Sequence, residues 1–552
     1  MRRIIAVLLC AVLCVSLLAS CGSNDDPAPA SGGNDNAPST SGGSNTGGST
    51  PSATPSNEAG EVAPLPETVT EETVFAEHIE YIVGDAVSII NSHSPAGDGS
   101  SHNNACRMIY DSLYYNQPDG TSTPLLATHY ETDDYQTWIF HLREDVYFHN
   151  GDKFTSKDVI FTWEHALESI GSIAAGNWNY IVEARAIDEY TVEFKTAAPY
   201  GNLLFNIGIS VTGILNERAI AEDEIEGFWV GTGAYKLVEL SPADYMRFER
   251  NDNYWGELPI TKSQTWTLVP EASSRTIMLQ NGTAQLGGVT ESDLQLFRDD
   301  PDNFGIHTVV ANNAMSLMFN LDDPICGDIN FRNAVAYGVD REELAIFGMG
   351  SIAAPVDVGT IWGYETPFKN PNIQPIMQDI EKAKEFLAES SYNGETIELA
   401  IMSSGTRLAE AIQDQLNNIG IDVSINPMDV PTFTVYTSST DNKAQMLTYF
   451  AMMSQNPVDT YRVCFYPLAN NNRMRYNNPA VTEMIEQSMS ILSEDAQREH
   501  YYKMQELVTA DLPCIPIYYM VGAMVYANGV GGMVTSASAH YDFRYMYQII
   551  EG

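Results

Sequence analysis

Two histidines, His93 and His102, stand nine residues apart in a polar, glycine-rich run that begins Asn91-Ser92-His93. Their ring nitrogens are metal-ligand chemistry, but a lone pair nine apart in a loop is a weak metal signal. Cys106, Cys326, Cys464 and Cys514 are widely spaced, with no C-x-x-C pair. They fit two disulfides outside the cytoplasm or four separate buried thiols, and spell no metal site. The locally spelled enzyme devices are missing: no G-x-S-x-G elbow, no S-x-x-K, no H-E-x-x-H, no G-x-x-x-x-G-K and no G-x-G-x-x-G. Nothing here argues for a catalytic residue, a cofactor or a resident metal. With 29 Tyr, 20 Phe and 7 Trp, the chain has aromatic side chains for a core and for a cleft that grips an organic solute.

The charge balance narrows the partners. The chain of 552 residues carries 72 acidic and 28 basic side chains, a formal charge of −44. Phosphate binding needs clustered Lys and Arg, so a nucleic-acid role is excluded. Residues 1–20 read as a signal peptide: Arg2 and Arg3 precede an uncharged apolar run, Ile4 to Leu18, shorter than a membrane span. It ends in Leu18-Ala19-Ser20-Cys21, which resembles a bacterial lipobox with Cys21 as the lipidated residue. Residues 21–73 are rich in Ser, Gly, Asn, Pro and Thr and cannot bury enough surface to offset chain entropy. As a coil of about fifty residues this linker would span roughly 40 Å. The expectation is a protein on the outer side of the cell membrane, held by the lipid alone.

The elements that must position any site are mixed. In "TWIFHLREDVYFHNGDKFTSKDVIFTW" (137–163), Trp138, Phe140 and Leu142 alternate with Thr137, Ile139 and His141, the period of a strand. Asn150-Gly151-Asp152 marks a turn, and Thr155 stands three residues before Asp158 as an acidic capping box. Val159, Trp163, Ala166, Leu167 and Ile170 then predict one helix face. Farther on, 396–402 reads as a strand, 407–419 as a helix with Leu408, Ile412, Leu416 and Ile419 aligned, Gly420 as its stop, and 421–430 as a second strand. That βαβ unit implies a parallel pair with a right-handed crossover. The fold class is α/β with more than one lobe.

Residues 109–167 resemble the signature region of the bacterial extracellular solute-binding proteins of the peptide/nickel class (family 5). "GTGAYKLVEL" with "RFERNDNYWG", then "FNLDDPICGDINFRNAVAYGVDREEL", "RYNNPAVTEMIEQS" and "YYKMQELVTADLPCIPIYY" follow in that family's order. The resemblance implies a periplasmic-binding-protein-like two-lobed fold with an additional third domain (cluster C type), working as the monomeric receptor of an ABC importer and docking on its permease. It implies lobe I from 74–108, 229–312 and 521–552, an extra domain at 109–228, lobe II at 313–520, and hinges near 312 and 520. An extracellular sensor on the same fold is the rival reading; a secreted hydrolase is a weaker third.

The same resemblance supplies ligand-binding candidates from both sides of a cleft: Asn91, Ser92 and His93 after the first strand, and Tyr449 with Met453, Ser454, Gln455 and Asn456 from the other lobe. Trp178, in "AGNWNYI", is a further candidate, with a core position as its alternative. Peptide-binding members carry a D-x-x-D-P run whose first aspartate pairs with the ligand's α-ammonium. Here the run is Met453-Ser454-Gln455-Asn456-Pro457, with neither acid. Either Asp459 substitutes, or the cargo presents no free amino terminus there.

Overall fold

Two long strands, Phe304–Phe319 and Cys514–Ala527, pair antiparallel along most of their length. The computed structural model describes residues 69–70, 72–85, 87, 90–94, 100–117, 121–169, 172–242, 244–357, 359, 368–438, 441–452, 457–467, 469, 471–535 and 541–551. Eleven described strands join one sheet around that central pair. On one side Cys514–Ala527 leads through Leu286–Gly288 and His78–Val83 to Ser263–Leu268, Tyr245–Arg250 and Tyr235–Ser241. On the other, Phe304–Phe319 leads through Met446–Met452 to Ile397–Met402 and Val423–Met428.

Of the two central strands, Cys514–Ala527 is apolar nearly throughout. "CIPIYYMVGAMVYA" is buried or half-buried from end to end, as a strand covered on both faces must be. Register slips between Val310 and Ala314 and again between Met315 and Ser316, and such irregularities bend a strand and raise its twist. Pro516, which has no N–H to give a ladder, sits opposite Ser316 at the second slip.

The βαβ unit is present: Ile397–Met402 and Val423–Met428 pair in parallel, joined by the helix Thr406–Ile419. Leu408, Ile412, Leu416 and Ile419 are buried, and Gly420 ends the helix in the left-handed region at φ 97°, where a side chain would be strained. The 137–163 stretch also forms as read, with a strand Thr137–Leu142 and a helix Ser156–Glu168. The N–H and Oγ1 of Thr155 both donate to Asp158 Oδ2, at 2.9 and 3.0 Å. The helix face is narrower than expected, because Leu167 is exposed while Val159 and Ala166 are buried; Ile170 lies outside the described residues.

Thr137–Leu142 belongs to a separate four-stranded sheet with Ala127–Glu131, Thr191–Thr196 and Ile181–Asp188. Its apolar face, with Trp138, Phe140, Val192 and Phe194, closes a core made within residues 113–214. A second core joins residues 79–110 and 215–286 to Met524, Val530 and 541–546. Two more cover the two faces of the sheet within residues 310–521. All four described cysteines are buried thiols outside any disulfide, so of the two open alternatives the structure takes the second. No described helix is long and apolar enough to cross a membrane.

Candidate functional site

The strand His78–Val83 is followed by a turn that folds Asn91, Ser92 and His93 inward. Asn91 Oδ1 accepts the His93 N–H at 2.8 Å, and the Asn91 carbonyl accepts the Ser94 N–H at 2.9 Å, an Asx-type turn closed by its own side chain. Ser92 and His93 are buried, Asn91 partly so. His93 Nδ1 lies 2.8 Å from Nδ1 of His165 on the helix Ser156–Glu168, so one ring donates and the other accepts. Burial, and secondarily His165, push the His93 pKa down to about 3; burial also lowers His165. The pair is therefore neutral near pH 7. His102 turns elsewhere, its Nε2 3.1 Å from the Asn91 carbonyl. The two histidines thus turn to separate partners, His93 to His165 and His102, on the helix Ser100–Ile109, to the Asn91 carbonyl.

Tyr449 lies near the end of the strand Met446–Met452. Its ring stacks on Phe450 at 4.5 Å and near-parallel to Phe433 at 5.9 Å. The Arg473 guanidinium lies 4.2 Å from the Tyr449 ring centroid, a cation–π distance. Arg473 is buried, and its Nη1 donates to the carbonyls of Thr437 at 3.1 Å and Thr434 at 3.4 Å and to Oγ1 of Thr437. Those carbonyls close the helix Val430–Tyr436, whose C-terminal dipole favours a cation. Arg473 Nε has no partner among the described residues.

Met453, Ser454, Gln455 and Asn456 lie outside the described residues, as do the side chain of Asp459 and all of Cys21. The helix that follows, Pro457–Cys464, carries Arg462, whose guanidinium lies 5.1 Å from the ring of Tyr180. Tyr180 in turn stacks on Tyr200 at 4.4 Å. Beside that contact Leu492 lies against Gly201, and Met489 packs on the cores of both parts. The structure thus brings together the flanks of two candidate segments, because Tyr180 is two residues from Trp178 and Arg462 is three from Asp459.

Trp178 itself is fully buried, edge-on to Phe194 at 5.9 Å. It takes the core position that was its alternative reading. Among the described residues, Asn91–His93 bond to one another and to His165, whereas Tyr449 packs on Phe433, Phe450 and Arg473. Arg462, Arg473 and Tyr180 are the residues that sequence reasoning passed over. A signal existed: with only 28 basic residues in the chain, two arginines close to the 449–459 segment are informative.

Comparison with known proteins places this architecture. A family model described as bacterial extracellular solute-binding proteins, family 5 middle, matches residues 121–472. The probable ABC transporter periplasmic-binding protein SapA of Escherichia coli is 23% identical over 531 residues, 89% of this chain and 96% of that protein. The heme-binding protein A of Haemophilus influenzae is 25% identical, over 80% of this chain and 86% of the relative. The crystal structure of the ABC transporter substrate-binding protein CtaP from Listeria monocytogenes superposes with a TM-score of 0.78 at 21% identity, covering 86% of this chain and all of that one.

Proposed function

This chain belongs to the bacterial extracellular solute-binding proteins of family 5, and from that premise we propose how it takes up its cargo. It binds a solute outside the cytoplasm and delivers it to an ABC transporter. In our reading 74–108, 229–312 and 521–552 form lobe I, 109–228 the extra domain beside it, and 313–520 lobe II. The observation that carries this reading is the central strand pair: both strands run through the two halves of the sheet, and one slips register between Val310 and Ala314. A cleft that shuts by hinge motion needs a few chain crossings able to absorb the change, and these two strands supply them. The Arg462–Tyr180 contact then marks where the lobes meet across the mouth.

The cargo is a small organic solute without a free amino terminus at the 453–457 segment. That segment lacks the carboxylate that would pair an ammonium, and a methionine is no strong acceptor. An unpaired ammonium shut into the cleft would cost several kcal/mol. The cationic Arg473 beside Tyr449 supports the same reading, since it favours a carbonyl or carboxylate over an ammonium. A relative named for heme binding is consistent with cargo chemistry set by side chains and not by the fold. Asp459, with Asn91, Ser92 and His93, completes our candidate set. The mature chain is tethered to the membrane through Cys21, works as a monomer and performs no chemistry on its cargo.

Calorimetry with matched peptides bearing free and acetylated amino termini tests this. Binding is expected to survive acetylation. Tight binding that disappears on acetylation and persists in Asp459→Asn would overturn the pocket reading while leaving the family assignment intact. For the anchor, Cys21→Ala is expected to release the processed protein from membranes.

A further inference from the structure

The outer face of the four-stranded sheet carries a second chemistry. His129 on the strand Ala127–Glu131 is directly opposite His141 on Thr137–Leu142. Their rings stack at 4.3 Å and 9°, as facing positions on neighbouring antiparallel strands allow. Glu131 lies two residues along from His129, on the same face, with Oε1 3.5 Å from His141 Nε2. The ligand atoms of His129, Glu131 and His141 all fall within 4.8 Å of one another. We propose that these three side chains form a binding site for one divalent transition-metal ion of the zinc, nickel or copper kind.

The second observation concerns where the protons are. Thr128 Oγ1 donates to the His141 carbonyl at 3.1 Å and lies 2.9 Å from His129 Nδ1. With its one proton committed, that hydroxyl accepts from Nδ1–H, which leaves the lone pair of His129 on Nε2. Holding one imidazole nitrogen so that the other is free to ligate is what supporting partners do in metal sites. The Nε2 of His141 is buried and has no hydrogen-bond partner among the described residues, an unusual state for a polar atom. Two imidazoles and one carboxylate suit zinc, nickel or copper, whereas magnesium and calcium prefer oxygen alone.

Geometry sets one demand. Two donors on a tetrahedral ion at 2.0–2.1 Å stand about 3.4 Å apart, so the set must tighten from its present span. Glu131, whose side chain is 65% exposed, is free to swing in, and water fills the remaining coordination. The strands need not move, because His129 and His141 are already in register. The two rings, now near-parallel, must rotate about their side-chain bonds so that both Nε2 lone pairs meet the ion.

The test is a calorimetric titration of zinc(II) into the chelator-stripped full chain. One equivalent is expected to bind. His129→Gln and His141→Gln should each weaken it tenfold or more, and Glu131→Gln three- to tenfold. The metal-free variants should keep the urea midpoint of the parent chain, and His78→Gln, at an exposed histidine elsewhere, should leave the zinc affinity unchanged. Absence of saturable binding, or binding kept within twofold when both histidines are replaced, overturns the proposal. So does loss of binding in His78→Gln. If a histidine variant fails to fold, exposed Glu131→Gln decides alone, and wild-type affinity in that variant overturns the three-donor set.

Discussion

Of the four buried arginines among the described residues, Arg544 and Arg473 are compensated in opposite ways. Arg544 sits between two carboxylates: its Nη2 is 2.6 Å from Asp542 Oδ2 and its Nη1 3.5 Å from Asp111 Oδ1. Asp111 also accepts from Trp255 Nε1, Thr232 Oγ1 and Tyr254 OH, at 3.0, 3.1 and 3.2 Å. Tyr115 OH donates to Asp542 at 3.2 Å. Among the described residues Arg473 has carbonyls, one hydroxyl and two aromatic rings as partners, and no carboxylate. A buried charge with its ions paired is sealed into the fold, whereas one held only by dipoles keeps attraction to spare for an anion or a carbonyl. The first arrangement ties the C-terminal residues to positions 111, 115 and 254–255, some four hundred and three hundred residues earlier. The second lies beside Tyr449, on the edge where a solute is expected.

The largest effect should come from opening the sealed knot. Burial acts to raise the Asp542 pKa, yet Arg544 holds it below the ordinary carboxylate value. Asp542→Ala would leave the guanidinium facing only Asp111 and is expected to cost about 3–5 kcal/mol, read as a lower urea midpoint at unchanged slope. A loss under about 1 kcal/mol would place Arg544 in the same class as Arg473 and dissolve the contrast.

Acid should find the same part of the molecule. Burial lowers the His149 pKa to about 4, against the bonds it makes to Gly233 and Trp229, and lowers His93 to about 3. Below pH 6.5 the unfolded chain binds protons that these folded rings refuse, so stability falls as pH falls toward those values. Each ring should cost about 2 kcal/mol by pH 5. Asp158 works the other way: burial raises it to about 6, so its contribution grows as pH falls and offsets part of the loss. Comparing chains isolates the histidine term. His149→Gln should flatten the stability curve between pH 6.5 and 4.5, and an unchanged slope would mean that His149 already titrates normally.

How much of this was readable beforehand depends on the range of the interaction. The Thr155–Asp158 box, the βαβ unit around Leu408–Ile419 and the Gly420 stop are local patterns, and each stands as read. Helical period places Leu167 on the buried face, yet it is exposed, because period fixes an angle but not how wide the neighbour's surface is. The strand Cys514–Ala527 has no alternation to read, being covered on both sides. The contacts His93–His165 and Asp111–Arg544 join residues 72 and 433 positions apart, beyond any periodicity. For the candidate site, family motifs pointed to Asn91–His93 and Tyr449. Arg473 and Tyr180 needed the packing of helices whose partners no spacing announces.

Arg473 itself gives a smaller stability effect than Asp542. Arg473→Met keeps the stem's packing on Tyr449 and Phe433 but strands the carbonyls of Thr434 and Thr437. A loss of about 1–2 kcal/mol is expected, together with weaker binding of whichever solute the parent chain retains. If stability drops as far as in Asp542→Ala with binding intact, Arg473 is a second structural knot and not a poised cation.

The finest division of the comparison lies in one hydroxyl. Thr437 Oγ1 donates to the Phe433 carbonyl at 2.8 Å and accepts from Arg473 Nη1, so it both caps its helix and holds the guanidinium. Thr437→Val preserves shape and removes both bonds, which should cost about 1 kcal/mol. The informative quantity is its coupling to Arg473→Met in a double-mutant cycle, since neighbours that share a bond are not additive. A coupling under about 0.5 kcal/mol would mean that the backbone carbonyls and rings alone fix the guanidinium, leaving it free to turn toward a solute. A coupling above about 2 kcal/mol would mean that the hydroxyl takes the role a carboxylate plays for Arg544, and that Arg473 and Arg544 differ in partner chemistry but not in function.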